Sequence, residues 1–143
     1  VKKNMNLENI INITGKKGLY KVISRNNHSL IVENIENKKR EPIYSHMQAN
    51  MLEEIGIYTY EDTKPLSEIF DEIYKKENGK KTISHKSSKE ELTSFFRNIV
   101  PEYDEERVYF SDIKKVIQWY NFMQENKMIM PNKKKNKKNE NSN

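Results

Sequence analysis

The sequence predicts an α+β protein, with strands in its first half and helices in its second half. Short runs of β-branched and aromatic residues, separated by polar turns, fill residues 15 to 60, and this pattern is typical of strands. Three stretches with apolar residues at helical spacing follow between residues 65 and 124. We therefore expect a small SH3-like or Sm-like β-barrel, then a three-helix domain and a disordered basic tail.

The segment from Gly15 to Ile35 predicts a β-hairpin. Its two apolar runs centre on Val22 and Ile31, and the polar residues 26 to 28 between them favour a turn. A lone hairpin is only marginally stable in water. Further strands or a covering helix must therefore come from the rest of the chain.

Four further elements complete the predicted N-terminal domain. Residues 6 to 14 predict a short helix, because Leu7, Ile10 and Ile11 are helically spaced. Residues 40 to 44 predict a third strand, and Pro42 restricts it to an edge or a bulge because proline lacks a backbone donor. A second short helix is predicted over residues 46 to 54, followed by a strand over residues 55 to 60.

Three predicted helices follow, each with its own start signal. Pro65 suits the first position of the first helix. Ser88 and Glu91 fit a capping box at the start of the second helix. Ser111 or Asp112 can cap the third helix. The apolar stripes of these helices are expected to bury one another.

Changes in composition set the predicted domain boundaries. The strand-rich pattern fills residues 5–62, and the helical pattern fills residues 63–130 with an aperiodic linker at residues 80 to 87. Residues 131–143 contain mostly lysine and asparagine and have no apolar side chains to pack, so we expect a disordered tail there.

The net charge of +5 is concentrated at the ends of the chain. The segment from Pro131 to Asn143 contains five lysines and one glutamate, so the body of the protein is close to neutral. A lysine-rich tail can bind a polyanion, but a genome poor in G and C would produce the same bias. Both explanations stay open.

Composition also excludes several classes of protein. The chain has no cysteine, which excludes disulfides, thiolate metal sites and cysteine nucleophiles. No apolar run approaches the roughly 20 residues of a membrane span. We expect a cytoplasmic protein without a membrane partner.

Three segments carry a family resemblance: MNLENIINITGKKGLYKVIS, IYKKENG and PEYDEERVYFSDIKKVIQWYN. With the spacing between them, they resemble a conserved Bacteroidota family of small two-domain proteins of unknown function. The match covers about residues 5 to 124, and members of the family begin at the position of Met5. The resemblance implies a barrel-like N-terminal domain and a helical C-terminal domain, and it brings no known activity and no catalytic residues.

The sequence contains no pattern that points to catalysis or to a metal. His28, His46 and His85 are scattered, with no second ligand three or four residues away. Neither a glycine-rich phosphate loop nor a nucleophile motif is present. We expect a non-enzymatic protein without a cofactor or a metal.

One predicted site is a cluster of cations at one end of the barrel. If the first two strands pair antiparallel, Lys16 and Lys17 approach Lys38, Lys39 and Arg40. Such a cluster can contact the phosphates of RNA or DNA. Alternatively, these residues are solvated turn cations that nearby glutamates neutralise.

A second predicted site is an aromatic interface. Tyr109, Trp119 and Phe122 crowd a short region, and aromatic residues anchor many interfaces. Most aromatic residues of a small helical domain belong to its core. Phe122 lies off the apolar stripe of the third helix, so we expect it to be partly exposed or to contact the barrel or another subunit.

Together these patterns favour a non-enzymatic binding or scaffold protein. We expect a protein-interaction module with an unidentified protein partner. The alternative is an RNA- or DNA-binding protein that uses the basic barrel loops and the lysine-rich tail.

Overall fold

The computed structural model describes residues 6–128. The predicted tail at 131–143 and the first five residues lie outside this range. The described part of the chain contains strands in its first half and α-helices in its second, which confirms the α+β class. The elements are β1 (Ile10–Ile13), β2 (Tyr20–Arg25), β3 (Ser29–Asn34), β4 (Arg40–Tyr44), β5 (Ala49–Met51), a 3₁₀ turn (Leu52–Glu54), β6 (Gly56–Tyr58), β7 (Thr63–Pro65), α1 (Leu66–Glu77), α2 (Lys89–Ile99) and α3 (Phe110–Glu125).

Strands β1 to β5 form one antiparallel sheet in the order β4-β3-β2-β1-β5. Strands β6 and β7 form a separate two-stranded hairpin. In this order β4 and β5 are the two edges and are not paired with each other. The SH3-like or Sm-like barrel therefore stays a prediction, whereas the antiparallel sheet is established.

The predicted hairpin is confirmed as β2 and β3. The Asn26 carboxamide oxygen accepts hydrogen bonds from the backbone N–H groups of His28 and Ser29, both at 2.9 Å, and so closes the turn. The predicted third strand is confirmed as β4. Its Pro42 lies on an edge strand, where a missing N–H costs least.

The short helix predicted over residues 6 to 14 is wrong, because this segment contains strand β1. Asn6 accepts a hydrogen bond from the backbone of Glu8 at 2.9 Å, but it caps a turn and not a helix. Ile11 and Ile13 contact one apolar cluster, while Ile10 contacts another. The strand is buried on both faces, so the alternation that would have identified it is lost.

The short helix predicted over residues 46 to 54 is also wrong. Residues 49 to 51 form β5 and pair with β1, and only Leu52–Glu54 makes a single 3₁₀ turn. Met47 and Met51 pack on one apolar cluster, whereas Leu52 belongs to the other. The apparent helical spacing came from residues that serve two different cores.

The sheet separates two apolar clusters. The smaller cluster lies on one face of the sheet and is formed by Ile11, Ile13, Tyr20, Val22, Val32 and Ile43. The larger cluster joins residues of the strand-rich half, such as Leu7, Leu19 and Ile35, to the buried stripes of all three helices. One core therefore contains side chains from both halves of the chain, while the boundary predicted at residue 62 stays a prediction.

The three predicted helices are present, with small corrections at their starts. The capping box of Ser88 and Glu91 is confirmed at the start of α2, where Ser88 Oγ accepts from the Glu91 backbone at 3.1 Å. Pro65 precedes α1 and does not open it. The third helix starts before Ser111, and Asp112 accepts from the backbone N–H of Tyr109 at 2.9 Å.

The turn between β1 and β2 touches α3 through Gly18 and Phe122. Gly18 has a φ of +75°, and a Cβ placed there would lie 2.8 Å from Cε2 of Phe122. Glycine is thus required at position 18 for two reasons: its positive φ, and the Phe122 ring that occupies the space of a side chain. Phe122 was expected to be partly exposed or to contact the barrel or another subunit. Its half-burial confirms the partial exposure, and its role in an interface stays a prediction.

We predict that Gly18→Ala lowers the free energy of unfolding by about 1–3 kcal/mol more than Gly15→Ala does. The reason is that only the methyl group added at position 18 clashes with another side chain. Gly15 has a φ of +87° but no neighbour within 4 Å of an added Cβ. Gly15→Ala therefore costs only the backbone strain of an alanine at this positive φ, about 1–2 kcal/mol. Urea unfolding of the two variants measures the difference, and equal losses of stability would show that the turn does not press on Phe122.

Candidate functional site

A groove lies between the sheet and α3. It consists of two adjoining cavities of about 290 and 430 Å³ that share Asn12, Lys115 and Trp119 in their walls. We call the two cavities together the junction groove. Such clefts between structural units are frequent places for ligands.

Local structure positions the three shared side chains. Asn12 is the polar residue of β1 between Ile11 and Ile13, whose side chains enter the smaller core. Alternation along the strand turns Asn12 to the opposite face, towards α3. Lys115 and Trp119 are four residues apart on α3 and so lie on the same side of the helix.

The first cavity ends at an ordered arginine. The Arg107 guanidinium lies 4.3 Å from the centre of the Tyr58 ring, and its Nε is 2.8 Å from Oδ2 of Asp104. It also donates to the backbone carbonyl of Thr59 at 3.2 Å. The hydrogen bond from Arg107, helped by the backbone N–H of Glu106, lowers the pKa of Asp104 below its ordinary value.

The second cavity is lined by Lys16 and Lys17 from the turn between β1 and β2 and by Glu36 from the turn after β3. The Lys16 ammonium lies 2.9 Å from Oε1 of Glu41 on β4. This contact raises the pKa of Lys16 above its ordinary value, first through the hydrogen bond and then through the charge of Glu41. No ion pair is seen for Lys17 within residues 6–128.

The structure divides the predicted cation cluster. Lys16 and Lys17 line the groove, and the antiparallel order brings the turn after β3 to the same end of the sheet. Lys38 and Lys39, which lie in that turn, are not among the groove's lining residues, and neither is Arg40. Arg40 Nε instead pairs with Glu33 Oε2 at 3.2 Å across β3 and β4.

The predicted aromatic interface is divided as well. Trp119 and Phe122 line the groove, and Trp119 belongs to the walls of both cavities. Tyr109 lies at the start of α3 with 67% of its surface exposed, and it is not part of the groove wall. Tyr109 therefore remains a separate candidate.

Sequence reasoning missed Lys115 and Asn12 as site residues. The spacing of Lys115 four residues before Trp119 was a usable signal, because both must then share one helix face. Asn12 gave a weaker signal, because it is a polar residue inside the apolar run IINI. Its significance depended on recognising β1 as a strand.

Histidines and carboxylates do not converge in the described part of the chain. No group of three or more His, Cys, Asp or Glu side chains within residues 6–128 is arranged to hold a metal ion. Over the same residues, no helix has the length and apolar character needed to cross a membrane.

Comparisons with known proteins identify two family domains. Residues 7–52 match a domain of unknown function, DUF5606, and residues 55–123 match a second, DUF6852. A solution NMR structure of a Bacteroides vulgatus protein, a structural-genomics target, is 42% identical, with a TM-score of 0.73 over 87% of this chain and 90% of that one. The chain belongs to this family of two-domain proteins of unknown function. No curated protein matches it.

The junction groove of this family member contains residues from both family domains. Asn12, Lys16 and Lys17 come from the first domain, and Tyr58 and Lys115 come from the second. Neither domain alone can form these walls.

We predict that Arg107→Gln raises the pKa of Asp104 towards its ordinary value, because the variant loses the charge-assisted hydrogen bond. The folded-state pKa of Asp104 lies below the unfolded one. The interaction therefore stabilises the protein at neutral pH and is lost as the pH falls through that folded-state value. NMR titration of the Asp104 carboxyl from about pH 2 to 6 measures the shift. Arg25→Gln, which removes the same charge from an exposed position at the end of β2, is the control. An unchanged Asp104 pKa in Arg107→Gln would contradict the assignment.

Proposed function

We propose that the protein is a non-enzymatic binding protein whose junction groove receives an extended acidic segment of a partner protein. The observation that carries the proposal is the placement of Trp119 beside Lys115, Lys16 and Lys17 in one groove. An aromatic anchor next to cations suits a segment with both apolar and acidic residues.

Charge in the groove supports an acidic ligand. Its walls carry Lys16, Lys17, Arg107 and Lys115 against Glu36 and Asp112. Lys16 and Arg107 are already paired with carboxylates, whereas Lys17 and Lys115 have no ion pair within residues 6–128. These two lysines are the ones that a ligand carboxylate would meet.

The length of the groove supports an extended segment. Its walls follow α3 from Asp112 to Phe122, which corresponds to about 15 Å of helix at 1.5 Å per residue. An extended peptide covers that distance in about five residues at 3.3 Å each. The carboxamides of Asn12 and Asn50 on the wall can both donate to and accept from a peptide backbone.

The chemistry of the wall supports binding without catalysis. The residues that line the junction groove include no serine, threonine, cysteine or histidine. The Ser–His and Cys–His pairs that activate many nucleophiles therefore have no counterpart in this wall. The proposal assigns the carboxylates and lysines of the groove to recognition.

The second candidate is single-stranded RNA or DNA. Trp119 could stack on a base while Lys16, Lys17 and Lys115 contact phosphates. The wall also holds Glu36 and Asp112, which would repel a strand that carries a charge on every nucleotide. A peptide can present neutral residues at those two places, so we place protein binding first.

Fluorescence of Trp119 provides the test, because it is the only tryptophan in the sequence. We predict that a pool of acidic, extended pentapeptides with one apolar residue changes this fluorescence saturably. The matched pool with glutamine in place of glutamate should not. Lys115→Glu should weaken binding by about tenfold or more, since it replaces a charge-assisted contact with repulsion.

Lys39→Glu is the matched control, because it makes the same charge change outside the groove. It should leave peptide binding unchanged. Mixed-sequence single-stranded oligonucleotides at low and moderate salt form the opposing arm. Saturable oligonucleotide binding that Lys115→Glu weakens, without any response to the peptides, would replace this proposal with the nucleic-acid candidate.

A further inference from the structure

The linker between α1 and α2 is held in place by side chains of α3. The Tyr120 hydroxyl donates to the backbone carbonyl of Lys80 at 2.9 Å. The Asn121 carboxamide accepts from the N–H of Thr82 at 2.8 Å and donates to the carbonyl of Ile83 at 3.0 Å. Asn121 is only 9% exposed. The segment predicted as an aperiodic linker therefore has a fixed backbone, secured by buried hydrogen bonds.

This fixed backbone forms one wall of a cavity of about 390 Å³, which we call the linker pocket. It is a different cavity from those of the junction groove, although Gln118 and Phe122 belong to both walls. The linker contributes Lys81, His85 and Lys86, and it also contributes the hydroxyl-bearing residues Thr82 and Ser84. The Thr82 hydroxyl already donates to Oε2 of Glu77 at 2.8 Å, whereas the other four side chains are of types that can donate hydrogen bonds to an anion.

The charge of the pocket is not balanced by its own walls. Glu125 is the acidic residue among the lining residues, and it already forms an ion pair with Lys81. Lys86 has no ion pair within residues 6–128. An anion entering the pocket would therefore meet Lys86 without competing with a carboxylate.

The pKa of His85 reflects the same excess of positive charge. Burial, and then the charges of Lys86 on the linker and Lys114 on α3, hold the pKa of the His85 ring below its usual value. Among the groups that shift it, no carboxylate compensates for these two cations. The lowered pKa favours the uncharged ring, and an anion nearby would favour its protonation.

We propose that the linker pocket binds a phosphate monoester group. A monoester carries close to two negative charges at neutral pH and has three terminal oxygens. Those oxygens match the ammonium of Lys86, the ring of His85 and the hydroxyl of Ser84. Because the backbone of the linker is already fixed by α3, little ordering is needed on binding.

NMR of the histidine rings tests the proposal on the full chain. The sequence contains His28, His46 and His85, and a His85→Gln spectrum assigns the resonance of interest. Inorganic phosphate, phosphoserine and AMP are titrated separately at constant ionic strength. We expect a saturable shift of His85 with a rise in its pKa, while His28 and His46 stay unchanged. Tighter binding of phosphoserine would indicate a phosphorylated protein as the source, and tighter binding of AMP would indicate a nucleotide.

Two charge variants separate a site from general screening. Lys86→Gln should weaken phosphate binding by about tenfold, as expected for loss of a charge-assisted contact. Lys76→Gln removes the same charge from an exposed position on α1 that does not line the pocket, and it should have no effect. A His85 resonance that responds to none of the three ligands would overturn the proposal. Equal phosphate affinity in wild type and Lys86→Gln would also overturn the proposal.

One further variant tests the role of the fixed linker. Asn121→Ala removes the hydrogen bonds to Thr82 and Ile83 without changing any charge. We expect faster amide exchange at Thr82 and weaker phosphate binding, with the rise in the His85 pKa retained once the pocket is saturated. Unchanged affinity despite faster exchange would show that the linker's order does not assist binding.

Discussion

The contact of the sheet with the helices is the constraint on which the remaining structure depends. Leu7, Leu19 and Ile35 enter the same apolar cluster as the buried stripes of the helices. Burial of apolar surface is the main favourable term in folding, and a chain with so few large apolar residues needs each of them. The sheet cannot be separated from the helices without exposing this cluster.

The junction groove follows from this packing. At one end of the groove, Gly18 lets the turn after β1 approach the ring of Phe122. At the other end, Thr59 bridges to Tyr103, and the backbone N–H of Asp104 donates to the carbonyl of Tyr58 at 2.9 Å. Between these two contacts the walls do not meet, and polar side chains such as Asn12 and Lys115 occupy the gap. The groove is therefore framed by a turn against an aromatic ring at one end and by backbone pairing at the other, which favours a preformed site.

Much of the fold could be predicted from local sequence, and the errors have one cause. The hairpin of β2 and β3 and the capping box of Ser88 depend on neighbouring residues, so the sequence was sufficient. Strand β1 was mistaken for a helix because its side chains serve two cores on opposite faces of the sheet, which removes the period-2 pattern on which strand recognition depends. Strand β5 was mistaken because Met47 and Met51 pack on one core while Leu52, in the 3₁₀ turn that follows, belongs to the other. Both arrangements are tertiary properties.

The site was predicted only in part for a related reason. Lys16, Lys17, Trp119 and Phe122 were chosen from two separate clusters in the sequence, and the structure brings them into one groove. The pairing of Lys16 with Glu41 agrees with the alternative in which nearby glutamates neutralise the turn cations, and it joins a turn to a strand on the far side of β2 and β3. The fixed conformation of the linker could not be predicted from the local sequence. It depends on Tyr120 and Asn121, which lie about 40 residues further along the chain.

The central claim is that sheet and helices form one unit with the junction groove between them. Nuclear Overhauser effects between the α-protons of Gly18 and the ring protons of Phe122 measure this contact most directly, together with ¹⁵N relaxation of both halves. The account predicts strong cross-peaks and a single rotational correlation time for residues 10 to 125. Absent cross-peaks, with different correlation times for the two halves, would contradict it.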